Sequence, residues 1–410
     1  MGPGRGPRYH AAMSFQPRQW GGRPVWAEID LDAVAHNLKL LAARVRPARV
    51  YAVVKANAYG HGAIAVARAA LDAGADALAV AAVDEGEELR RAGVAAPLLV
   101  LGHTPASDAA RVVAHGLEPA VGGPELVEAL SAAASARGAE VPVHLELETG
   151  FGRHGLLPDA AVALAERARA LPGVRVRALF THFATADEDE QEFTYAQYEV
   201  LAEVARRLPW ISERHCSASA SVLRRPWAGG GRPLALDAVR VGISLYGYRP
   251  GAACGPDADL RPVLALRSRV ARVADLAPGG AVGYGRTWVA RRPSRIALVM
   301  AGYADGYRRS LGNQAHALVR GQRAPVVGRV SMDMIVLDVT DVPGVTPGDV
   351  ATLLGADGPE RVDADELAGL AGTISYELLA GISARVPRLY VRGGEVVETS
   401  TLNQRAPRPA

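Results

Sequence analysis

Between residues 50 and 244 the chain alternates short apolar, β-branched runs with Ala-, Leu- and Arg-rich stretches, and this rhythm restricts the fold more than any other feature. Strands are expected near residues 50–54, 77–80, 98–101, 117–121, 143–147, 178–182, 215–219 and 239–244. Helices are expected between them, as at 64–73, 85–92 and 160–170. Strand–helix alternation marks parallel βαβ units. Eight such units in roughly 230 residues suit a (β/α)8 TIM-like barrel, whose usual size is about 250 residues. An open doubly wound sheet is the alternative.

After about residue 262 the pattern changes. Strands are expected at 264–273, 296–300, 324–330, 334–339 and 389–396, with a short helix at 364–371. Turns such as Pro278-Gly279-Gly280 and Pro347-Gly348-Asp349 separate them. The expected organisation is a barrel over 23–262 and a mostly-β C-terminal domain over 263–396. A disordered Gly-, Arg- and Pro-rich tail over 1–22 and a flexible tail over 397–410 flank them. A chain of 410 residues, 49% hydrophobic, can fill two cores.

Composition also excludes function classes. The net charge is +3 and no basic stripe interleaves with aromatics, which argues against nucleic acid. No run of about 18 apolar residues exists, so no membrane span is expected. The N-terminal stretch has no apolar core of the secretory kind. Cys216 and Cys254 make neither a disulfide framework nor a metal-ligand spacing, which fits a reducing, cytoplasmic setting without a metal.

Lys39 and Lys55 are the only lysines, so any chemistry needing an ε-amine must use one of them. Lys39 falls beside the helical stripe Leu31, Val34, Leu38, Leu41 and Val45, and reads as a solvated helix residue. Lys55 ends the run Tyr51-Ala52-Val53-Val54. In a parallel barrel the carboxyl ends of the strands form the active-site face. A lysine emerging there from apolar surroundings has its charged form disfavoured, which makes it a usable nucleophile or base. A lysine reaching out to a surface carboxylate is the alternative. Later strands end at Thr181-His182-Phe183, at Ser217-Ala218-Ser219 and at Arg240-Val241-Gly242-Ile243. The last two strand ends of such barrels commonly hold phosphate. Lysine plus phosphate cradle suggests a phosphorylated carbonyl cofactor held as a Schiff base, or else a Schiff-base aldolase acting on a sugar phosphate.

Arg240 bears on which cofactor chemistry is possible. Pyridoxal enzymes that build an extended carbanion usually set a carboxylate on the pyridine nitrogen. An arginine cannot accept that proton and leaves a weaker electron sink. Such a sink suits brief deprotonation at Cα. An arginine paired with a barrel carboxylate is the other reading. Gly283-Tyr284-Gly285, Gly302-Tyr303-Ala304-Asp305-Gly306 and Ser331-Met332-Asp333 remain ambiguous on local grounds. A tyrosine between glycines can approach another surface closely, or can be a hairpin residue.

The segment Val54-Lys55-Ala56-Asn57-Ala58-Tyr59-Gly60-His61-Gly62 resembles the cofactor-attachment segment of bacterial alanine racemases, fold type III pyridoxal-phosphate enzymes. The likeness continues in order through Trp26-Ala27-Glu28-Ile29-Asp30, Thr149-Gly150-Phe151-Gly152-Arg153-His154-Gly155, Thr181-His182-Phe183-Ala184, Arg240-Val241-Gly242-Ile243 and the three C-terminal motifs. It covers about residues 24 to 396. The attachment segment alone is shared with single-domain pyridoxal-phosphate proteins, whereas the ordered set is much more specific.

The resemblance implies pyridoxal 5′-phosphate as cofactor, L- and D-alanine as substrates, D-alanine supply for peptidoglycan, and a homodimer in which each site draws on both subunits. By position, Lys55 carries the cofactor and serves as one base, and Tyr284 of the other subunit is the second. A proton must be able to arrive on either face of a planar carbon for its configuration to be erased. A phenol ordinarily titrates near pH 10, so cations must assist it; His182 and Arg240 are the implied source. Arg153 and Met332 are implied to meet the substrate. Tyr59, Ser219, Gly242, Ile243 and Tyr376 are implied to hold the phosphate.

Two positions depart from the family pattern. Glu146 stands where many members have a lysine that can be carbamylated to an anion; glutamate is already an anion and is expected to pair with Arg153. Ala218 stands where an asparagine is frequent. The competing readings are a broader serine racemase, a decarboxylase of the same scaffold, and a non-enzymatic pyridoxal-phosphate homeostasis protein. Arg240 argues against the decarboxylase, and the β-rich domain with Tyr284 argues against the homeostasis protein.

Overall fold

The computed structural model describes residues 23–224 and 234–402. The expected tail over 1–22 therefore lies outside the described residues, as does 403–410. The chain groups into two compact units, one of Val34–Ala58 with Ala63–Arg261, the other of the N-terminal residues to Ala33, Tyr59–Gly62 and the chain from Pro262.

The first strand, β1 (Val25–Asp30), belongs to the second unit. It pairs antiparallel with β10 (Leu264–Leu276) and parallel with β19 (Arg388–Arg392). The sequence-based boundary placed residues 23–33 in the barrel. Val25, Trp26, Ala27 and Ile29 are instead buried between two strands that lie more than 200 residues away in sequence, a pairing no local pattern reveals.

Eight parallel strands form the first unit: β2 (Arg49–Val53), β3 (Ala77–Val80), β4 (Leu98–Val100), β5 (Glu118–Val121), β6 (Val141–Glu146), β7 (Val174–Phe180), β8 (Glu213–His215) and β9 (Ala238–Val241). Their order is β8-β7-β6-β5-β4-β3-β2-β9. The Arg240 amide donates to Ser217 O at 2.9 Å and the Asp237 amide to Arg214 O at 3.1 Å, which brings the two ends together into a (β/α)8 barrel. The helices between have local causes. Pro124–Arg137 and Pro158–Ala170 each open on proline, which loses no needed amide at a first turn. Val83–Arg91 carries Asp84 and Glu85 in its first turn and Arg90 and Arg91 in its last, matching the helix dipole. The space enclosed by the strands is not filled by aliphatic layers alone: Tyr51, Glu118, His144, Glu213, His215 and Arg240 are all buried.

The second unit holds a ten-stranded, mostly antiparallel sheet. Its further strands are β13 (Ser294–Val299), β14 (His316–Val319), β15 (Gln322–Pro325), β16 (Ile335–Asp338), β17 (Val350–Asp357), β18 (Glu360–Val362) and β20 (Glu395–Ser400), with β11 (Ala281–Val282) and β12 (Trp288–Val289) forming a separate ribbon. The single strand expected over 389–396 is a hairpin of β19 and β20. Gly393 and Gly394, at φ +60° and +84°, form the two-residue turn that a right-twisted hairpin requires. That hairpin also draws residues 397–400 of the expected flexible tail into the sheet. The strand expected over 324–330 stops at Pro325, and Val326 bridges Leu337 instead. The helix Ala364–Ala371 appears where expected, capped by Asp363 accepting from the Glu366 amide. Among the described residues no helix is long and apolar enough to cross a membrane.

Candidate active site

Lys55 emerges at the carboxyl end of β2. Burial lowers its pKa first, and the charges of Arg153 and Arg240 add to this. No carboxylate lies within ion-pair distance of its amine among the described residues, so the surface-carboxylate alternative falls away. The chain then turns the wrong way for L-residues. Ala56, Asn57, Ala58 and Tyr59 all have φ near +52°. Left-handed backbone costs roughly 1–2 kcal/mol per residue. The Ala58 amide donates to Val54 O at 2.8 Å, the Ala63 amide to Asn57 Oδ1 at 2.9 Å, and the Ala56 amide to Glu85 Oε1 at 2.6 Å. These bonds hold the turn that sets the exit of Lys55. Sequence reasoning missed both the turn and Glu85; Asn57, the one side chain there that tolerates left-handed backbone well, was the available signal.

Arg240 lies on β9 and is buried. Its Nη2 donates to Thr181 O at 2.8 Å and to His182 Nδ1 at 3.2 Å; its Nη1 donates to His215 O at 3.2 Å and to His215 Nδ1. Every one of these acceptors is neutral. Burial pushes the guanidinium down to about 10, which leaves it charged near neutral pH. His182 is pushed down to about 3, by burial first and then by Arg240, Arg153 and Lys55. It is therefore a neutral imidazole whose Nδ1 is an acceptor and whose Nε2 carries the proton. The expectation that His182 supplies positive charge is corrected: desolvation beside an arginine forbids it, and Arg240 is the cation of the pair.

Arg153 follows β6. Its Nη2 donates to Glu146 Oε1 at 3.2 Å, and His154 Nδ1 lies 2.9 Å from Glu146 Oε2. Glu148 accepts the amides of Gly150, Gly152 and Arg153, the last two at 2.9 and 3.1 Å, and so shapes the loop that carries Arg153. Ser219 Oγ accepts the amides of Gly242 at 3.0 Å and Ser244 at 3.3 Å, drawing the loops after β8 and β9 together around Ile243.

The second unit carries the remaining candidates. The rings of Tyr59 and Tyr376 lie 6.2 Å apart, and burial pushes the Tyr59 phenol up to about 12. Tyr284 opens a tight turn between Gly283 and Gly285, both at φ +71°, and is 71% exposed. Only glycine reaches that backbone without strain, so the pair holds the phenol out from the sheet. Met332 is 53% exposed, and its carbonyl accepts the Ala304 amide at 3.0 Å. Under these motifs lies a quartet that sequence reasoning did not find. Arg23 and Arg385 both bond the buried Asp305, each at 2.8 Å, and both reach Asp333, at 3.2 and 2.6 Å. The quartet ties Gly302–Asp305 to Ser331–Asp333.

The family model "Alanine racemase, N-terminal domain" matches residues 29–250, and "Alanine racemase, C-terminal domain" matches 263–390. The chain belongs to the alanine racemase family. An alanine racemase of Symbiobacterium thermophilum is 44% identical over 379 residues, 92% of this chain and 98% of that protein. The solved alanine racemase of Clostridium difficile superposes with a TM-score of 0.87 at 32% identity, covering 93% of this chain and 99% of that one. The Bacillus anthracis alanine racemase with bound L-Ala-P gives 0.85 at 34% identity, covering 94% and 99%. The two family models thus fall on both units, between residues 29 and 390.

Proposed function

We propose that this protein interconverts L- and D-alanine with pyridoxal 5′-phosphate attached through Lys55, in the cytoplasm, as a homodimer whose second subunit supplies Tyr284 to each site. The observation that carries the reading is Lys55 at the end of β2, its charged form disfavoured, beside a buried arginine bonded only to neutral acceptors.

The residues suit the cofactor. Lys55 has the nucleophilic amine that a carbonyl group requires. Arg240, with His182 against it, offers a fixed cation to a ring nitrogen. Tyr59, Ser219, Gly242, Ile243 and Tyr376 would hold the phosphate. When bound, the cofactor supplies a conjugated system that spreads the electron pair left at Cα.

The protein's part is to place proton carriers and to hold the substrate. The Lys55 amine takes or gives the Cα proton on one face, and the Tyr284 phenol does so on the other. Arg153, held by Glu146, and Met332 would position the substrate carboxylate. Glu146 stands in for the carbamylated lysine of relatives as the anion facing Arg153. The positive charge of Arg240 favours anionic forms nearby, and the guanidinium, already protonated, accepts no further proton. The D-alanine so formed would supply peptidoglycan synthesis.

The test is to incubate the purified protein with pyridoxal phosphate and L-alanine and follow D-alanine by chiral chromatography, beside Lys55→Ala. D-alanine from the parent alone supports the reading. Cofactor absorbance without D-alanine overturns it in favour of another amino acid or a cofactor-binding role.

A further inference from the structure

The polar groups inside the barrel form one continuous chain. His215 Nδ1 accepts from Arg240. His215 Nε2 lies 3.0 Å from His144 Nδ1, and His144 Nε2 lies 3.0 Å from Glu118 Oε2. Arg177 Nη1 donates to both Glu118 oxygens, at 2.7 and 2.8 Å, and its Nε donates to Glu213 Oε2 at 3.2 Å. Tyr51 Oη donates to Glu213 Oε1 at 2.5 Å, and Arg49 also bonds Glu213. The chain thus runs from the first residues of β2, β5 and β8 to Arg240 near the carboxyl face. Both histidines are fully buried, and Phe180 stacks on His215 with ring centroids 4.8 Å apart at 18°.

The chain has a direction, and Glu118 sets it. A carboxylate accepts only, so His144 must carry its proton on Nε2. His144 Nδ1 is then an acceptor and requires the proton of His215 on Nε2. His215 Nδ1 is left as a lone pair, which is what an arginine N–H needs. In the opposite tautomers, His215 would turn an N–H toward another N–H. Burial and the Arg240 charge hold His215 neutral well below its usual range, consistent with this assignment.

We propose that His215 and His144, polarised by Glu118, are positioning residues that hold Arg240 in place while keeping every anion out of contact with it. A carboxylate bonded directly to Arg240 would orient it equally well but would cancel its field. Placing the anion at the far end of two imidazoles keeps the orientation and preserves the charge. The inference rests on Arg240 as the cation serving the bound cofactor, whereas its tautomer prediction needs no cofactor.

The side-chain ¹⁵N spectrum of histidine-labelled, full-length protein without cofactor reads the tautomers directly, the ten histidines being resolved by single substitutions. His144 and His215 should both show protonated Nε2 and bare Nδ1. Protonated Nδ1 on His215 in the parent protein overturns the proposal whatever the protein's activity. Two variants then separate polarity from packing. His144→Gln keeps an acceptor toward His215 and a donor toward Glu118; His144→Leu keeps neither. His144→Leu should invert or mix the His215 tautomer, shift the absorbance of bound pyridoxal phosphate and lower alanine racemisation about 10- to 100-fold. His144→Gln should keep the parent tautomer and spectrum, with activity within about threefold. Equal losses in both variants, or parent-like behaviour in both, overturn it. Should His144→Leu fail to fold, a His144→Gln protein that loses the His215 tautomer overturns it alone.

Discussion

The two units place their candidate site residues differently, buried in the one and exposed in the other. In the barrel unit Arg240, His215, His144 and Glu118 are buried, and desolvation holds both His182 and His215 neutral. In the β-rich unit the candidates Tyr284 and Met332 stand mostly in solvent, and Asp305, buried beneath them, is matched by two arginines. Burial tunes what a group will do with a proton, at the expense of access. Exposure on a braced turn leaves a group ordinary but lets it reach another surface. A site that needs both a tuned cation and a mobile proton carrier can draw one from each kind of unit.

The largest expected effect tests the exposed side. Tyr284→Phe should lower racemisation about 10²–10⁴-fold, the usual worth of a general base, while leaving the affinity for pyridoxal phosphate unchanged. Activity within tenfold of the parent, measured by chiral chromatography, would break the division of labour. Asp305→Ala comes next. It strands Arg23 and Arg385 and should cost about 3–5 kcal/mol in urea denaturation followed by circular dichroism. A loss under 1 kcal/mol would mean the quartet braces nothing.

Smaller effects sharpen the barrel side. Glu146→Gln keeps the shape and removes the charge facing Arg153. It should weaken alanine binding or turnover about tenfold, near the lower end for a charged hydrogen bond, and unchanged kinetics would remove Glu146 from the site. The smallest effect concerns His182. Its folded-state pKa, about 3, lies below the free value of 6.5, so between those pH values the unfolded chain takes a proton that the native protein refuses. Stability from this source is present above about pH 6.5 and is lost as the pH falls toward 3. The ring is partly exposed, so the loss at pH 5 should be on the order of 1 kcal/mol. His182→Gln should flatten that part of the stability–pH curve, and a curve parallel to the parent's would show that His182 protonates freely.

Where the sequence reading succeeded, the signal was local. The eight barrel strands fall within a few residues of the runs at 50–54 through 239–244, because alternation of strand and helix patterns is written in neighbouring residues. Where it failed, partners were distant or turns were decisive. Strands β14 and β17 were not anticipated, and β1 was anticipated in the wrong unit. The Gly393-Gly394 turn was visible and unused.

The interior chain shows the limit most clearly. Arg177 and Phe180 have opposite parity on β7, so a regular strand would point one of them outward. The register shift between Val143/Val176 and His144/Ala178 lets Arg177 reach Glu118 while Phe180 stacks on His215. The sequence by itself determined the parallel strand–helix units, the β-rich unit after them, and Lys55 as the amine available at a strand end. Only the tertiary structure decided that His182 is neutral, that Arg240 meets no carboxylate, and that Glu118 governs it through two imidazoles. Periodicity is a property of adjacent residues, whereas desolvation and hydrogen-bond direction arise only when strands from different parts of the chain close around the same space.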